Sequence, residues 1–253
     1  MKSVDRDTLE KTLNRVLDPI QIVDYCPNGL QIEGVKQIRK IITGVTASKA
    51  LLELAVQRQA DAVLVHHGVF WKGDPQVITG FRKERLAIAL TSQLNVFAYH
   101  LPLDVHPTLG NNVQLAQLLN WPVDQALGTK GLVLSGCFSM PQTLNQVLQT
   151  ISGALGCSCQ VEGVNDPSRL ITRVAWCTGA ASGYLEEAAR AGAQLYLTGE
   201  LSEPAVHIAS ELGVSLVGAG HHATERCGVK ALGNWIHQEF GIEVEFHDLF
   251  VRV

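Results

Sequence analysis

Three short polar clusters, each placed directly after an apolar run, are the residues of this chain best suited to do chemistry. They are His66-His67-Gly68 after residues 62–65, His100-Leu101-Pro102-Leu103-Asp104 after residues 96–99, and His221-His222-Ala223-Thr224-Glu225 after residues 214–220. Ligands collect at the carboxyl ends of the strands of open α/β sheets. Imidazole with carboxylate suits zinc, iron, manganese or nickel, and the share of oxygen donors argues against copper(I). The clusters together predict a metal site.

The adjacent His66 and His67 would point to opposite faces of a regular strand. We therefore expect the chain to turn here, which Gly68 makes easy. Two histidines splayed from a turn suit two neighbouring metal ions better than one. The alternative is a pair of polar residues that closes a strand in a loop.

His221 and Glu225 are four residues apart, so a helix that begins near His222 places them beside one face of its first turn. The Glu225 carboxylate is then suited to bridge two cations. The alternative is a glutamate that merely complements the helix dipole.

Asp104 is a further candidate ligand, in a loop that Pro102 and Pro107 would stiffen. We expect His100 and His106 to orient ligands by hydrogen bonds.

Composition limits the remaining classes of function. The chain has 253 residues, of which 17% are charged, and its net charge is −4. The length and the low charged fraction favour a folded protein of one large domain or two small ones. The negative net charge is unlike the excess of basic residues in a dedicated nucleic-acid-binding protein. The six cysteines contain no Cys-x-x-Cys pair, which is typical of buried thiols in a reducing compartment.

Several common motifs are absent from the sequence. It has no phosphate-binding P-loop, no dinucleotide fingerprint and no serine nucleophile elbow, and Cys227 is a weak candidate nucleophile. No stretch approaches the roughly 18 apolar residues of a membrane span, and the N-terminus lacks the core of a signal peptide. We expect a soluble cytoplasmic protein.

Alternating strand and helix patterns must position these clusters. Strands are predicted over 40–45, 61–65 and 95–99, with helices over 49–59, 84–93 and 111–119. The strands read as continuous apolar runs, as in sheets covered by helices on both faces. In the middle of the chain we expect a strand within 128–140, a helix over 143–155 and a strand over 157–162. Residues 242–249 alternate in polarity and predict an edge strand.

The pattern recurs in the second half, where residues 173–179, 187–200 and 210–214 parallel residues 40–44, 54–68 and 92–96. Asp104 then corresponds to the neighbourhood of His221. This favours a duplicated α/β fold with a pseudo-twofold pair of units and a site between them, although two unrelated units could resemble each other by chance. We place the first unit at 1–124 with 234–253 and the second at 125–233.

A set of motifs spread over nearly the whole chain carries a specific resemblance. They are Pro27-Asn28-Gly29-Leu30-Gln31, Thr43-Gly44-Val45-Thr46, His66-His67-Gly68, His100-Leu101-Pro102-Leu103-Asp104, Thr198-Gly199-Glu200 and Gly220-His221-His222-Ala223-Thr224-Glu225. The chain resembles the dinuclear-metal-centre family of GTP cyclohydrolase 1 type 2 homologues, and in particular its short bacterial members.

The resemblance implies two intertwined α/β units, three-layered (α/β/α), around a dinuclear site, assembled as a toroidal homohexamer. It implies two divalent metal ions per chain, with Glu225 as the bridge. The implied ligands are His66, His67, Asp104, His221 and Glu225.

The function that follows is a metal-dependent hydrolase acting on a nucleotide or related heterocycle, with ring opening of GTP as the named candidate. His100 or Glu200 would move protons, and Lys72, Lys130 or Arg226 would meet phosphates. The alternative is a non-catalytic, metal-binding, ring-shaped scaffold or regulatory protein. Nucleic-acid binding, a third possibility, would need basic residues gathered at a ring opening.

Overall fold

The α/β class predicted from the sequence is confirmed by the computed structural model, which describes residues 2–128 and 130–251. The elements up to Val105 are β1 (Val4–Asp5), α1 (Arg6–Leu17), β2 (Gly29–Ile32), β3 (Gln37–Ile38), β4 (Lys40–Thr46), α2 (Lys49–Gln57), β5 (Ala62–His67), α3 (Gly80–Thr91), β6 (Asn95–Ala98) and α4 (Leu101–Val105). The next are α5 (Asn111–Leu119), β7 (Gln125–Leu127), β8 (Val133–Thr143), α6 (Leu144–Leu155), β9 (Gln160–Gly163) and β10 (Leu170–Trp176). The last are a 3₁₀ turn (Ser182–Tyr184), α7 (Leu185–Arg190), β11 (Leu195–Thr198), α8 (Glu203–Leu212), β12 (Ser215–Gly218), α9 (His221–Thr224), α10 (Arg226–Phe240) and β13 (Glu243–Phe246).

The first compact unit runs through Leu109 and resumes at Gly228–Leu249. Its main sheet has the strand order β13-β4-β5-β6-β2, in which only the edge strand β2 is antiparallel to its neighbour. Ile41 and Val45 of β4 pack with apolar residues of α1 and α10, whereas Ile42 packs with α2 and α3. Helices therefore cover both faces of this sheet, which explains why its strands are continuously apolar.

The second unit comprises Gly110–Cys227 and the described residues after Leu249. Its sheet has the order β7-β8-β10-β11-β12-β9, with a parallel centre of β10, β11 and β12. Helices α5 and α6 pack against one face around Trp176, whose indole Nε1 donates to the Asn112 carbonyl oxygen over 2.9 Å. Helices α7 and α8 contribute buried alanines, Ala188, Ala205 and Ala209.

The two units share one order of elements. Strands β4, β5 and β6 alternate with α2 and α3, and strands β10, β11 and β12 alternate with α7 and α8. In each unit an antiparallel strand borders the third of these strands, β2 beside β6 and β9 beside β12. The repeat read from the sequence is therefore present in the topology, and each of the clusters after residue 95 follows the third strand of its unit.

The unit boundaries differ from those drawn on the sequence, which assigned residues 110–124, 228–233 and 250–251 to the opposite unit. Leu115 and Leu119 of α5 belong to the apolar core of the second unit together with Trp121. Val229 and Leu232 of α10 belong to the core of the first unit. Burial of these faces decides the division, and it depends on contacts between segments that lie far apart in the sequence.

Two local expectations are wrong at the polar clusters. Strand β5 continues through His67 instead of turning before it, because Thr46 of β4 still pairs with His67. The segment after His100 is the one-turn helix α4, with Pro102 in its first turn, where a missing N–H costs nothing.

Two further observations bear on the sequence expectations. All six cysteines are thiols, and Cys26 and Cys177 are buried. Among the described residues, no helix combines the length and the apolarity that crossing a membrane requires.

The docking of β13 on β4 predicts an acid-sensitive contribution to stability. Lys40 Nζ lies 2.8 Å from Glu243 Oε1 and 2.5 Å from Glu245 Oε1. The hydrogen bonds from Lys40 and His247 lower the pKa of Glu245 from its ordinary 4.5 to about 2. A carboxyl group whose pKa is lowered by folding stabilises the fold at pH values above its unfolded-state pKa. This stabilisation is lost as the pH falls from about 4.5 to about 2.

We therefore expect Glu245→Gln to lower the urea midpoint at pH 7 and the difference from the unaltered chain to shrink below pH 4.5. The control is Glu239→Gln, since Glu239 is exposed on α10. A difference for Glu245→Gln that stays constant from pH 7 to pH 3 would contradict this origin.

Candidate metal centre

The carboxyl ends of β5 and β6 bring together His66, His67, His100 and Asp104 in the first unit. Pairing of these strands ends at Val65 and Ala98, and the Tyr99 amide still donates to the Val65 carbonyl oxygen over 3.0 Å. His66, His67 and His100 each offer a ring nitrogen, and these nitrogens lie within 4.8 Å of one another. Three imidazoles at this spacing could hold a transition-metal ion.

His66 is fully buried and its ring is fixed by the backbone. Its Nδ1 lies 3.0 Å from the Tyr99 carbonyl oxygen. A carbonyl oxygen can only accept, so Nδ1 carries the proton and the lone pair is on Nε2. That Nε2 faces Asp104, with 3.5 Å to Oδ1. The pair therefore presents one nitrogen and one oxygen donor to the same point.

His67 is oriented by the neighbouring strand β4. Its Nδ1 lies 3.1 Å from Thr46 Oγ1, and its ring centroid is 4.7 Å from that of His66. The hydroxyl can donate or accept, and as an acceptor it leaves Nε2 as the coordinating nitrogen. The adjacent rings thus lie side by side at the last two residues of β5.

His100 is held from two directions. Its Nδ1 donates to Asp24 Oδ1 over 2.8 Å, and its backbone N–H donates to Asn28 Oδ1 over 2.7 Å. The carboxylate fixes the proton on Nδ1 and leaves Nε2 as the acceptor nitrogen. The sequence assigned His100 a proton-moving role, and the geometry makes it a candidate ligand as well.

Asp24 is the central acceptor of the loop beneath His100. It also accepts from the Leu101 backbone N–H over 2.9 Å and from Asn28 Nδ2 over 3.0 Å. Burial raises the pKa of this carboxyl, but the hydrogen bonds from His100 and Asn28 outweigh it and lower the pKa to about 2. Asp24 is therefore ionised at neutral pH and keeps the imidazole oriented.

The second unit contributes His221, Glu225 and Glu200. His221 Nδ1 donates to Glu200 Oε1 over 2.5 Å, and its Nε2 lies 3.0 Å from Glu225 Oε2. Burial lowers the pKa of His221, but the two carboxylates raise it to about 9. Coordination through Nε2 therefore has to displace a proton, as metal binding to histidine commonly does.

Close backbone packing sets the place of the Glu225 carboxylate. Gly179 has φ +70°, and a Cβ at this position would collide with Glu225 Oε1. A Cβ on Gly199 would lie 2.7 Å from the Cα of His221. Both glycines follow strand ends, and only residues without a side chain allow this approach.

An aromatic wall of Tyr25 and Trp71 borders the histidines of the first unit. The Trp71 ring centroid is 5.7 Å from that of His67 and 5.2 Å from that of His100. The Tyr25 ring packs edge-on against His100 at 4.9 Å. These rings therefore pack against one side of the cluster, with Tyr25 itself 53% exposed.

Several of these residues were not identified from the sequence. Asn28 and Thr46 lie in quoted motifs that had no assigned role, and Asp24 and Gly179 were not selected. A hydrogen-bond acceptor beside Nδ1 is expected for any histidine that coordinates a metal through Nε2. Its position, however, depends on which loop packs beneath the ring.

The candidate phosphate-binding Arg226 has a structural task. Its guanidinium Nη2 donates to the Leu155 carbonyl oxygen over 2.6 Å and its Nε to the Ala223 carbonyl oxygen over 3.4 Å. It therefore satisfies one carbonyl group at the end of α6 and one in α9.

The chemistry of the donors fits a metal centre. The described donors are imidazole nitrogens and carboxylate oxygens, the set that suits zinc, iron, manganese and nickel. The structure thus supplies two donor groups, His66, His67, His100 and Asp104 in the first unit, and His221 with Glu225 in the second.

Comparisons with known proteins confirm the resemblance seen in the sequence. A protein of Pseudomonas aeruginosa named "GTP cyclohydrolase 1 type 2 homolog" is 48% identical over 244 residues, which cover 95% of this chain and 96% of that protein. A Yersinia pestis protein of the same name is 47% identical over 242 residues, with the same coverage of 95% and 96%.

Solved structures agree with the sequence matches. Protein ybgI, described as of unknown function, superposes with a TM-score of 0.95 at 43% identity, over 99% of this chain and 100% of that one. TTHA1606 of Thermus thermophilus superposes with a TM-score of 0.89 at 33% identity, over 99% and 100% of the two chains. The model of the Duf34/NIF3 (NGG1p interacting factor 3) family matches residues 4–250, and the chain belongs to this family.

Proposed function

We propose that this protein is a metal-dependent hydrolase acting on a nucleotide or a related heterocycle, with ring opening of GTP as the candidate reaction. The observation that carries the proposal is the shared arrangement of the histidines. The Nδ1 atoms of His66, His100 and His221 face oxygens that can only accept, which directs each Nε2 to a ligand position. His237 shares this orientation, since its Nδ1 lies 2.7 Å from the Ile242 carbonyl oxygen, but it belongs to none of the clustered donor groups among the described residues. The orientation together with the clustering of the donors therefore carries the proposal.

We propose further that the donor groups of the two units jointly hold two divalent cations. His66, His67, Asp104 and His221 would be terminal ligands, and Glu225 would be the bridge. Bound divalent cations supply Lewis acidity, which activates water near neutral pH and polarises a substrate atom. Zinc, iron, manganese and nickel all suit these donors.

The remaining residues of the site would hold protons in place. Asp24 keeps a proton on His100 Nδ1, so His100 Nε2 is poised to exchange a proton with a substrate. Glu200 shares a proton with His221 Nδ1 and is partly exposed, so it can pass a proton to solvent.

For GTP, the proposed reaction consumes two waters at the C8 carbon of guanine. The first addition opens the imidazole ring, and the second releases C8 as formate. Each addition needs a base for the water proton and an acid for the departing nitrogen, the roles proposed for His100 and Glu200.

The ring-shaped homohexamer implied by the family stays a proposal. We expect light scattering of the purified protein at micromolar concentration to give the mass of six chains. A monomer under these conditions would contradict it.

The first test is release of formate from GTP by protein loaded with zinc, iron or manganese. We expect turnover by the loaded protein and at least a hundredfold loss for Asp104→Asn, because the amide removes the charge next to His66. The matched control is Asn145→Asp, which alters a comparable side chain on the exposed surface of α6. Absence of formate with every metal would exclude GTP as the substrate but leave the hydrolase class to other heterocycles.

The second test concerns the bridge. We expect Glu225→Gln to retain less metal than the variant of any single histidine, because both cations would lose a shared negative charge. We expect His67→Ala to deplete about one of the two ions. The measurement is metal content per chain by elemental analysis of folded protein, with His207→Ala as the control, since His207 is exposed on α8.

Retention of about two ions per chain by Glu225→Gln would show that Glu225 is not the bridge. A scaffold role predicts a different pattern, in which the ligand variants lose thermal stability or assembly while the unaltered protein has no turnover. The complete burial of His66 is the observation that favours this second candidate.

A further inference from the structure

A second feature of the first unit lies directly behind the aromatic wall. The connection from β5 to α3 and the first turns of α3 enclose a cavity of about 270 Å³. The apolar side chains that line it are Val69, Phe70, Trp71, Pro75, Val77, Ile78, Phe81 and Leu86. Three of the eight are aromatic, so the cavity offers flat aromatic faces beside aliphatic surface.

Trp71 belongs to both the cavity and the histidine cluster. Its ring lines the cavity and lies 5.2 Å from the His100 ring and 5.7 Å from the His67 ring. A molecule in the cavity would therefore be separated from the candidate metal ligands by a single side chain. This proximity relates the cavity to the proposed chemistry.

The rim of the cavity is basic. Arg82 and Arg85 both line it, and Arg82 is neutralised by an ion pair with Asp74. The Arg85 guanidinium lies over the Phe81 ring, 5.1 Å from its centroid. Arg85 therefore brings a positive charge to the aromatic edge, where it can meet an anionic group.

The lining is unusually exposed for apolar side chains. Val77, Ile78 and Phe81 are 64%, 61% and 63% exposed. Contiguous apolar surface of this kind usually marks a binding site. The flat aromatic faces and the cation at the rim favour a flat, negatively charged occupant over an aliphatic one.

A cavity in the second unit is larger than the one behind Trp71 and differs from it in charge. It measures about 540 Å³ and follows the ends of β11 and β12, where Glu200 lines it. Among the described residues of its lining there is no lysine or arginine. A phosphorylated molecule would meet a carboxylate there, so the cavity behind Trp71 is the better candidate for an anion.

We propose that the cavity bounded by Trp71, Phe81 and Arg85 binds the planar ring of a phosphorylated heteroaromatic compound. The ring would stack on the aromatic side chains, and Arg85 would meet the phosphate. The proposal rests on the proposed function, whose substrate class it narrows to a heteroaromatic ring with an anionic substituent.

The test is direct binding of three probes by calorimetry: guanosine monophosphate, guanosine and ribose 5-phosphate. It uses the full protein with a chelator present, so that metal binding and turnover play no part. We expect guanosine monophosphate to bind best, guanosine more weakly, and ribose 5-phosphate not at all. Loss of one stacking side chain typically weakens binding about tenfold, which we expect for Phe81→Ala.

The variants separate the two contributions. Arg85→Gln should weaken the binding of guanosine monophosphate and leave the binding of guanosine unchanged, because only guanosine monophosphate carries a phosphate. The matched control is Leu90→Ala, since Leu90 is an exposed apolar residue of the same helix outside the cavity lining. It should leave the binding of both compounds unchanged.

Three results would overturn the proposal. They are absence of saturable binding, unchanged affinity in Phe81→Ala, and a changed oligomeric state of Phe81→Ala with affinity retained, which would make the patch an interface between copies. The two hypotheses fail separately. If Phe81→Ala leaves formate release unchanged, the ring-binding site is refuted and the hydrolase proposal stands. If the ring binds but the loaded protein shows no turnover, the binding site stands and the hydrolase proposal is refuted.

Discussion

The hydrogen bond at Nδ1 of each candidate histidine is the constraint on which the rest of the site depends. An imidazole can coordinate a metal through either nitrogen, and the partner of one nitrogen decides the role of the other. Here the Tyr99 carbonyl and the carboxylates of Asp24 and Glu200 accept from His66, His100 and His221. Each acceptor comes from a different part of the chain, so the proton positions are fixed by the fold.

The fold places these acceptors because strand ends and loops converge at one edge of each sheet. In the first unit, apolar side chains on both faces of β5 and β6 bury the strands, and the polar residues begin where the apolar run stops. In the second, Gly179 and Gly199 let two loops approach His221 and Glu225 too closely for any side chain. Burying an imidazole or a carboxylate lowers the stability of the fold unless the group is paired. The hydrogen bonds of the site therefore also offset the cost of burying its polar side chains.

Much of this could be predicted from residue order, and the remainder could not, for identifiable reasons. The polar clusters that begin at His66, His100 and His221 follow from apolar runs that stop at polar residues. The start of α3 at Gly80, instead of Glu84, was missed because its first turn is exposed and lacks a side-chain cap. Asp24 carries no local signal, since its importance comes from accepting hydrogen bonds from His100 and Leu101, far away in sequence.

A crystal structure of the protein grown with zinc, with the metal located by anomalous scattering, tests these assignments of the imidazole nitrogens. We expect ions bound to Nε2 of His66, His67 and His221, with the Nδ1 contacts to Tyr99, Thr46 and Glu200 retained. Ions bound through Nδ1, or located away from these histidines, would contradict the claim that the fold orients the imidazoles for metal binding.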